Sequence, residues 1–127
     1  MKSQKNTTGR WGEQQAAEYL VEQGYEILAR NVRTAYGELD LVAREGMPDS
    51  QIVIVEVKTR RSASLGYPEI SVDRKKQAHL LAAAQAYLQA HPELSGEYRI
   101  DVIAIQALKA GAPAEIVHFQ NAVRADE

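Results

Sequence analysis

The stretch GELDLVAREGMPDSQIVIVEVKTR, residues 37–60, decides the fold. Its first part, Glu38–Arg44, alternates apolar and polar residues, a pattern typical of a strand with one buried face. Its last part, Ile52–Lys58, is a run of β-branched residues that predicts a central strand covered on both faces. The link between them contains Gly46 and Pro48 and is too short for a crossover, so it predicts a turn. The stretch therefore predicts an antiparallel hairpin.

Helices and further strands are predicted on both sides of this hairpin. They are a helix Thr8–Gln23, a short strand Tyr25–Arg30, a loop Asn31–Gly37, a loop Ser62–Ile70, a long helix from Ser71 to about Ala90, a strand Tyr98–Ile105 and a shorter final strand Glu115–Gln120. Thr7 or Thr8 is predicted to cap the first helix and Gly24 to end it, whereas Ser71 caps the second helix and Pro92 ends it.

The order of these elements predicts the topology. A strand, a long helix and a further strand form a right-handed crossover, so the strand after the second helix should lie parallel to an earlier one. The prediction is an α/β fold of one helix, three strands, a helix and a strand, plus a short final strand, with a mixed sheet flanked by helices.

Composition limits the class of protein. The chain has 127 residues, of which 45% are hydrophobic, and it contains no linker-like segment, so we predict a single domain over residues 1–127. No run approaches the roughly 20 apolar residues of a membrane helix, and Met1–Thr8 lacks the apolar core of a secretion signal. We therefore expect a cytoplasmic protein without a membrane partner. The absence of cysteine excludes thiol nucleophiles, disulfides and thiolate zinc sites.

The charge distribution bears on nucleic-acid binding. A net charge of -2 argues mildly against a nucleic-acid partner. One segment nevertheless carries a surplus of basic residues over Glu69 and Asp73. Its basic residues are Lys58, Arg60, Arg61, Arg74, Lys75 and Lys76. Such a segment can bind a phosphate backbone, although solvated loop and helix-end charges would look the same in the sequence.

Charged residues end both strands of the hairpin. Because side chains alternate along a strand, Glu38 and Asp40 are predicted on one face of the first strand. Leu39, Leu41 and Ala43 are predicted on its other face. By the same rule Glu56 and Lys58 share a face of the second strand. Charges that close a buried strand need partners, which are either each other or a metal ion.

Each predicted helix also directs one polar residue toward the sheet. Glu13 belongs to the stripe Glu13, Ala16, Ala17 and Leu20 of the first helix. Gln77 belongs to the stripe Gln77, Leu80, Leu81, Ala84 and Leu88 of the second. We expect Glu13, Asp40, Glu56 and Lys58 to converge in one cleft between the first helix and the sheet. Acidic side chains and a lysine placed in this way suit oxygen coordination of magnesium or manganese, with the lysine steadying a water or the charge on phosphorus. On spacing alone, a functionless ion pair of Lys58 with Glu56 or Asp40 explains the pattern equally well.

The residues resemble a known family. Gly37-Glu-Leu-Asp40 followed by a hairpin and Glu56-Val-Lys58-Thr59-Arg60 resembles the signature of the PD-(D/E)xK nuclease superfamily. From Gly12-Glu13 through Asp101, the chain resembles the YraN-type family of small bacterial endonuclease-like proteins, which are similar to archaeal Holliday-junction resolvases. The resemblance implies a restriction-endonuclease-like core and a metal-dependent endonuclease acting on DNA, with branched or Holliday-junction-like DNA as a substrate. Leu39 stands where the motif often has proline.

The resemblance also implies roles for individual residues. Asp40 and Glu56, with the backbone carbonyl of Val57, would bind Mg²⁺ or Mn²⁺, and Lys58 would position or activate the attacking water. Glu13 would complete the metal's coordination directly or through water. Glu38 and Gln77 stand where accessory polar residues occur. The DNA would lie along the basic residues Arg60, Arg61, Arg74, Lys75 and Lys76, and a two-fold homodimer would suit a resolvase-like role.

Two other functions remain open from the sequence. One is a non-catalytic protein that recognises branched DNA or a protein partner on the same fold. The other is a metal-dependent hydrolase of a different substrate, which would need a closed small-molecule pocket.

Several residues are predicted to lie outside the site. His79, His91 and His118 lack metal-ligand spacing and are expected at the surface or at helix ends. Tyr36 and Tyr67 flank the cleft, where packing against turns is favoured over stacking on bases. Asp101 is expected to form an ion pair with Arg99.

Overall fold

The structure is a computed structural model that describes residues 7–48, 50–60, 73–94, 96–107 and 111–124. Its elements are α1 Thr7–Glu22, β1 Glu26–Thr34, β2 Gly37–Arg44, β3 Ile52–Arg60, α2 Arg74–Ala90, β4 Tyr98–Gln106 and β5 Glu115–Val123. Within these ranges the strands form one sheet in the order β1-β2-β3-β4-β5. β3 and β4 pair in parallel and the other neighbours pair antiparallel. The predicted α/β class, element order, hairpin and mixed sheet are confirmed.

The sheet is covered on its two faces by different helices. β3 is the middle strand, and its side chains alternate between two buried clusters. Val53 and Val55 belong to the cluster that contains Ala16, Ala17 and Leu20 of α1. Ile52 and Ile54 belong to the cluster that contains Leu80, Ala83, Ala84 and Tyr87 of α2. The predicted central strand and the predicted inner face of α1 are therefore confirmed. The α2 face is rotated from the prediction, since Leu81 and Leu88 are only half-buried.

Two strands extend at least three residues further than predicted. β1 continues to Thr34, so the loop predicted for residues 31–37 is wrong, and only the turn Ala35–Tyr36 separates β1 from β2. β5 continues to Val123 instead of ending at Gln120. α1 ends at Glu22, and Gly24 has a φ of 94°, which confirms its predicted left-handed conformation.

The cap of α2 also differs from the prediction. Asp73 occupies the N-cap position, and its side chain accepts a hydrogen bond of 2.8 Å from the backbone N–H of Lys76. A carboxylate at this position satisfies one of the free amides of the first helical turn. Ser71, the predicted cap, lies outside the described residues, as does the predicted loop Ser62–Ile70. In the part of the chain that the structure describes, no helix is long and apolar enough to span a membrane.

The strict alternation predicted for β2 breaks at Asp40. Leu39 packs in the cluster facing α2, whereas Leu41 and Ala43 pack in the cluster facing α1, so the predicted common face is wrong. The register of β1 with β2 places Asn31 opposite Asp40, and Asn31 has a φ of 51°. A left-handed residue rotates a strand out of its regular pleat, and asparagine tolerates that conformation well. Both strands therefore change face at the position of Asp40.

Candidate metal and nucleic-acid site

Asp40 links β2 to β3 where their regular pairing stops. The antiparallel pairs of β2 and β3 begin with Arg44 opposite Ile52 and end with Leu41 opposite Val55. At the next position Asp40 Oδ2 instead accepts a hydrogen bond of 2.8 Å from the backbone N–H of Val57. Because the N–H and C=O of one strand residue point to the same side, the Val57 carbonyl is also directed toward Asp40. The face change in β2 thus brings a carboxylate and a backbone carbonyl to the same gap.

Glu56 brings a second carboxylate to this gap. Its side chain is 12% exposed, and Lys76 Nζ lies 3.4 Å from its Oε2. Burial and the adjacent carboxyl group of Asp40 raise the pKa of Glu56 to about 7, and the opposing effect of Lys76 is smaller. Asp40 is itself only 7% exposed. Two buried carboxyl groups in contact repel one another when both are ionised, and a cation between them relieves that repulsion.

These donors fit a hard divalent cation. Mg²⁺ and Mn²⁺ prefer carboxylate, carbonyl and water oxygens, and Mg²⁺ commonly uses only one or two protein carboxylates. Asp40, Glu56 and the Val57 carbonyl supply such a set. Within the described ranges, no three Asp, Glu or His side chains form a group that could hold a metal by themselves. Waters or substrate oxygens would therefore have to complete the coordination.

The other predicted catalytic residues lie at the same end of the sheet, but the prediction of one cleft under α1 is wrong, since Glu56 contacts α2. Lys58 follows Glu56 by two positions on β3, on the face toward α2 by strand alternation. Glu13 is 7% exposed on the inner face of α1, which covers the other face of the sheet. Its neighbour Gly12 packs against Thr59 so closely that any Cβ would collide with the threonine hydroxyl. This contact puts the start of α1 at the end of β3, and a role for Glu13 through water stays a prediction.

The predicted accessory and basic residues are dispersed around this end. Glu38 forms an ion pair with Arg33, and Gln77 is half-buried in α2. Arg60 is the half-buried last residue of β3, and its carbonyl accepts a hydrogen bond from Ala107. Arg74 and Lys75 are exposed in the first turn of α2. Lys76, predicted to bind phosphate, contacts Glu56. Arg61 lies outside the described residues.

Tyr36 stands at the tip of the β1–β2 hairpin, and it is 55% exposed. Thr34 fixes this turn, since its hydroxyl donates to the Gly37 carbonyl at 2.8 Å and accepts from the Tyr36 N–H at 3.0 Å. Packing against the turn, which the sequence favoured, does not bury this ring. Tyr67 lies outside the described residues.

The prediction for His118 is wrong, while those for the other histidines are confirmed. His79 is exposed, and His91 is the C-cap of α2. The His118 side chain is 7% exposed, and its Nε2 lies 2.7 Å from Asp101 Oδ2. Its Nδ1 lies 3.0 Å from the Tyr19 hydroxyl. His118 therefore connects α1 to the interior of the sheet.

Asp101 is the centre of this second polar cluster, on β4 opposite Val55 and two strands away from Asp40. The predicted ion pair with Arg99 is confirmed, with Nε 3.0 Å from Oδ1. Burial alone would raise the pKa of Asp101, but hydrogen bonds from His118, Arg99 and the Asn121 amide outweigh it and hold the pKa below its usual value. Arg99 also contacts Glu45 at 2.9 Å and the Tyr25 hydroxyl at 2.9 Å. Sequence spacing gave no signal for this cluster beyond the Arg99 and Asp101 pair.

A cavity of about 380 Å³ opens beside this cluster. It is lined by Tyr19, Gln23, Gly24, Tyr25, Glu45, Gly46, Met47, His118 and Gln120. Glu45, one of these lining residues, directly follows Arg44, the last residue of β2. None of the predicted catalytic or DNA-binding residues is among the lining residues.

Comparison with known proteins identifies relatives along the whole chain. Residues 12–105 match the model of a family described as "Uncharacterised protein family UPF0102". A UPF0102 protein of Syntrophotalea carbinolica is 46% identical over 126 residues, covering 99% of this chain and 98% of the relative. A UPF0102 protein of Syntrophomonas wolfei is 46% identical over 114 residues, covering 90% and 95%.

Solved structures give more distant likenesses. A repair endonuclease from Pyrococcus abyssi has 14% sequence identity and a TM-score of 0.46, over 87% of this chain and 42% of that one. An EndoMS complex with double-stranded DNA has 20% identity and a TM-score of 0.36, again over 87% and 42%. This chain thus spans less than half the length of either solved chain.

Proposed function

This chain belongs to the UPF0102 family, and we propose that it is an Mg²⁺- or Mn²⁺-dependent endonuclease that hydrolyses phosphodiester bonds of DNA. The observation that carries the proposal is the pairing of the Asp40 and Glu56 carboxyl groups in the gap where β2 leaves β3. Buried carboxylates in contact are unfavourable when both are ionised, so the pair attracts a cation. The resemblance to the PD-(D/E)xK signature assigns the same two residues to a metal.

Each residue of the proposed site has a distinct task. Asp40, Glu56 and the Val57 carbonyl hold the ion, and the Val57 N–H fixes the orientation of the Asp40 carboxylate. The bound ion supplies Lewis-acid stabilisation of the charge on the phosphoryl oxygens and lowers the pKa of a water. Lys58 orients the attacking water or binds the charge that develops on the phosphate. Glu13, whose neighbour Gly12 contacts Thr59 at the end of β3, contributes through a water.

The proposed path of the DNA backbone crosses the first turn of α2. Arg74 and Lys75 are exposed there, although a helix N-terminus disfavours positive charge. Cations at this position, together with Arg60 at the end of β3, create a positive surface next to the carboxylate pair. A phosphate bound there would lie close to the proposed metal.

We expect the salt dependence of DNA binding to report this surface. DNA binding is measured in calcium, which occupies many such sites without supporting cleavage. The slope of log affinity against log salt counts phosphate contacts, because each contact releases counterions. In the double variant Arg74→Ala/Lys75→Ala this slope should be smaller by the equivalent of roughly one to two contacts. Binding should weaken alike for all sequences. Glu26→Gln, at the exposed far end of β1, is the control. An unchanged slope would move the DNA path to another surface.

The direct test is a cleavage panel with magnesium or manganese. Four-way junctions, flaps, duplex and single strands are compared for the wild type and Lys58→Ala. We propose that branched DNA is cut best, and that two copies related by a two-fold axis cut opposite strands, which sedimentation of the DNA complex would detect. Binding without cutting on every substrate would favour the non-catalytic alternative. Equal cutting by Lys58→Ala would reject the role of that lysine.

A further inference from the structure

We infer that Lys76 is a built-in counter-ion of the carboxylate pair, which a divalent metal must displace and which is then released to bind the substrate phosphate. This inference rests on the proposed function and adds a step that couples metal binding to DNA binding. Its basis is the contact of 3.4 Å between Lys76 Nζ and Glu56 Oε2. Glu56 is the carboxylate that faces α2, whereas Asp40 is anchored to the backbone of β3.

The position of Lys76 on α2 is fixed by the local structure. Asp73 caps the helix through the backbone N–H of Lys76, so the main chain of this residue is held in the first turn. A lysine in the first turn faces an unfavourable helix dipole. The negative carboxylate pair offsets this cost for Lys76. Lys75 is the preceding residue of the same turn and carries the same charge, so it serves as a matched reference.

Lys76 and a divalent ion cannot both stay at Glu56. The ammonium group neutralises the same carboxylate that would coordinate the ion, and two cations in contact repel strongly in a poorly solvated gap. The Lys76 side chain is 46% exposed, so its flexible end can move toward solvent while the helix stays in place. A substrate phosphate at the metal would offer the displaced ammonium a new anionic partner. Lys76 would thus strengthen DNA binding only when metal is present.

The test measures calcium binding by calorimetry without DNA, on wild type, Lys76→Gln and Lys75→Gln. Lys76→Gln should bind Ca²⁺ about tenfold more tightly, because it removes the competing cation, and its metal-free form should melt at a lower temperature. Lys75→Gln should match the wild type. Lys76→Arg keeps the charge and should restore an affinity near that of wild type, which separates loss of charge from a change in folding.

The outcomes separate the two hypotheses. Equal or weaker Ca²⁺ binding by Lys76→Gln overturns the counter-ion role and leaves the proposed metal site standing. No binding of Ca²⁺ or Mn²⁺ by any of these proteins overturns the proposed function itself. As a second readout, junction DNA should bind Lys76→Gln several-fold more weakly than wild type in saturating Ca²⁺ but equally without divalent ions. The same loss under both conditions would make Lys76 a permanent phosphate ligand and overturn the release step.

Discussion

Asp40→Asn and Glu56→Gln should each lower kcat/KM for DNA cleavage on the order of a thousand-fold while the protein stays folded. Metal-supplied charge stabilisation in phosphoryl transfer is worth several kcal/mol, and each 1.4 kcal/mol is about tenfold in rate. Both substitutions keep the shape of the side chain but remove the negative charge that holds the ion. Single-turnover cleavage of the best substrate, with matched protein and metal concentrations, measures the effect.

The stability of the same variants distinguishes a functional site from a structural ion pair. In the metal-free protein the pKa of Glu56 is raised from 4.5 to about 7, so the folded state binds a proton more tightly than the unfolded chain. The free energy of unfolding should therefore fall as pH rises through that window, by roughly 3 kcal/mol from this group. Glu56→Gln should remove the fall and melt at a higher temperature than wild type near pH 8. Added Mg²⁺ should reduce the difference in melting temperature between Glu56→Gln and wild type.

Two results would contradict the assignment. Cleavage at the wild-type rate by either variant would exclude that carboxylate from the metal site. A Glu56→Gln protein that is less stable than wild type at alkaline pH would make Glu56 a structural partner of Lys76. Glu26→Gln removes a carboxylate from an exposed ion pair with Arg44 and should change neither property.

The hairpin and the crossover could be predicted because their signals are local. The β-branched run of β3 and the Gly–Pro link before it fix a buried strand and a turn, and the crossover then follows from chain connectivity. The end of β1 could not be predicted in this way. Asn31 is a typical turn residue, but here it takes a left-handed conformation inside a strand, so the chain continues to Thr34. Local propensity does not distinguish these two uses of asparagine.

The left-handed conformation of Asn31 also explains why the candidate site could be predicted only in part. Alternation separates Glu56 from Val53 and Val55, which pack toward α1, but it does not tell which helix covers Glu56, and the contact with Lys76 shows that this helix is α2. Alternation failed for β2, because the face change at Asp40 depends on Asn31 across the ladder. The contact of Lys76 depends on how α2 lies on the sheet, which no sequence spacing encodes. In a regularly pleated β2, Asp40 would pair with β3 through its backbone. Because the pleat is interrupted there, the Asp40 side chain accepts the hydrogen bond of the Val57 N–H instead.

Asp101→Asn should lower the free energy of unfolding by about 3–5 kcal/mol, the usual cost of removing one member of a buried charged pair. Asp101 is fully buried and accepts hydrogen bonds from Arg99, His118 and the Asn121 amide. An asparagine side chain keeps one acceptor oxygen, but its NH2 group would face Arg99, His118 or the Asn121 amide, which are also donors. The Arg99 guanidinium would then keep Glu45 as its charged partner. The melting temperature should fall by about 10 °C or more for a chain of this size.

The pH dependence of this effect has the opposite sign to that of Glu56. The pKa of Asp101 is lowered in the folded protein, so its contribution is complete above the unfolded pKa of an aspartate and is lost as pH falls through the folded value. The difference between wild type and Asp101→Asn should therefore shrink in acid, while cleavage by the folded fraction of the variant stays near the wild-type level. Chemical unfolding at a series of pH values gives the first result, and cleavage well below the melting temperature gives the second. A loss below about 1 kcal/mol would show that this cluster is no stronger than an exposed ion pair. A loss of cleavage at full folding would instead assign the Asp101 cluster to the reaction.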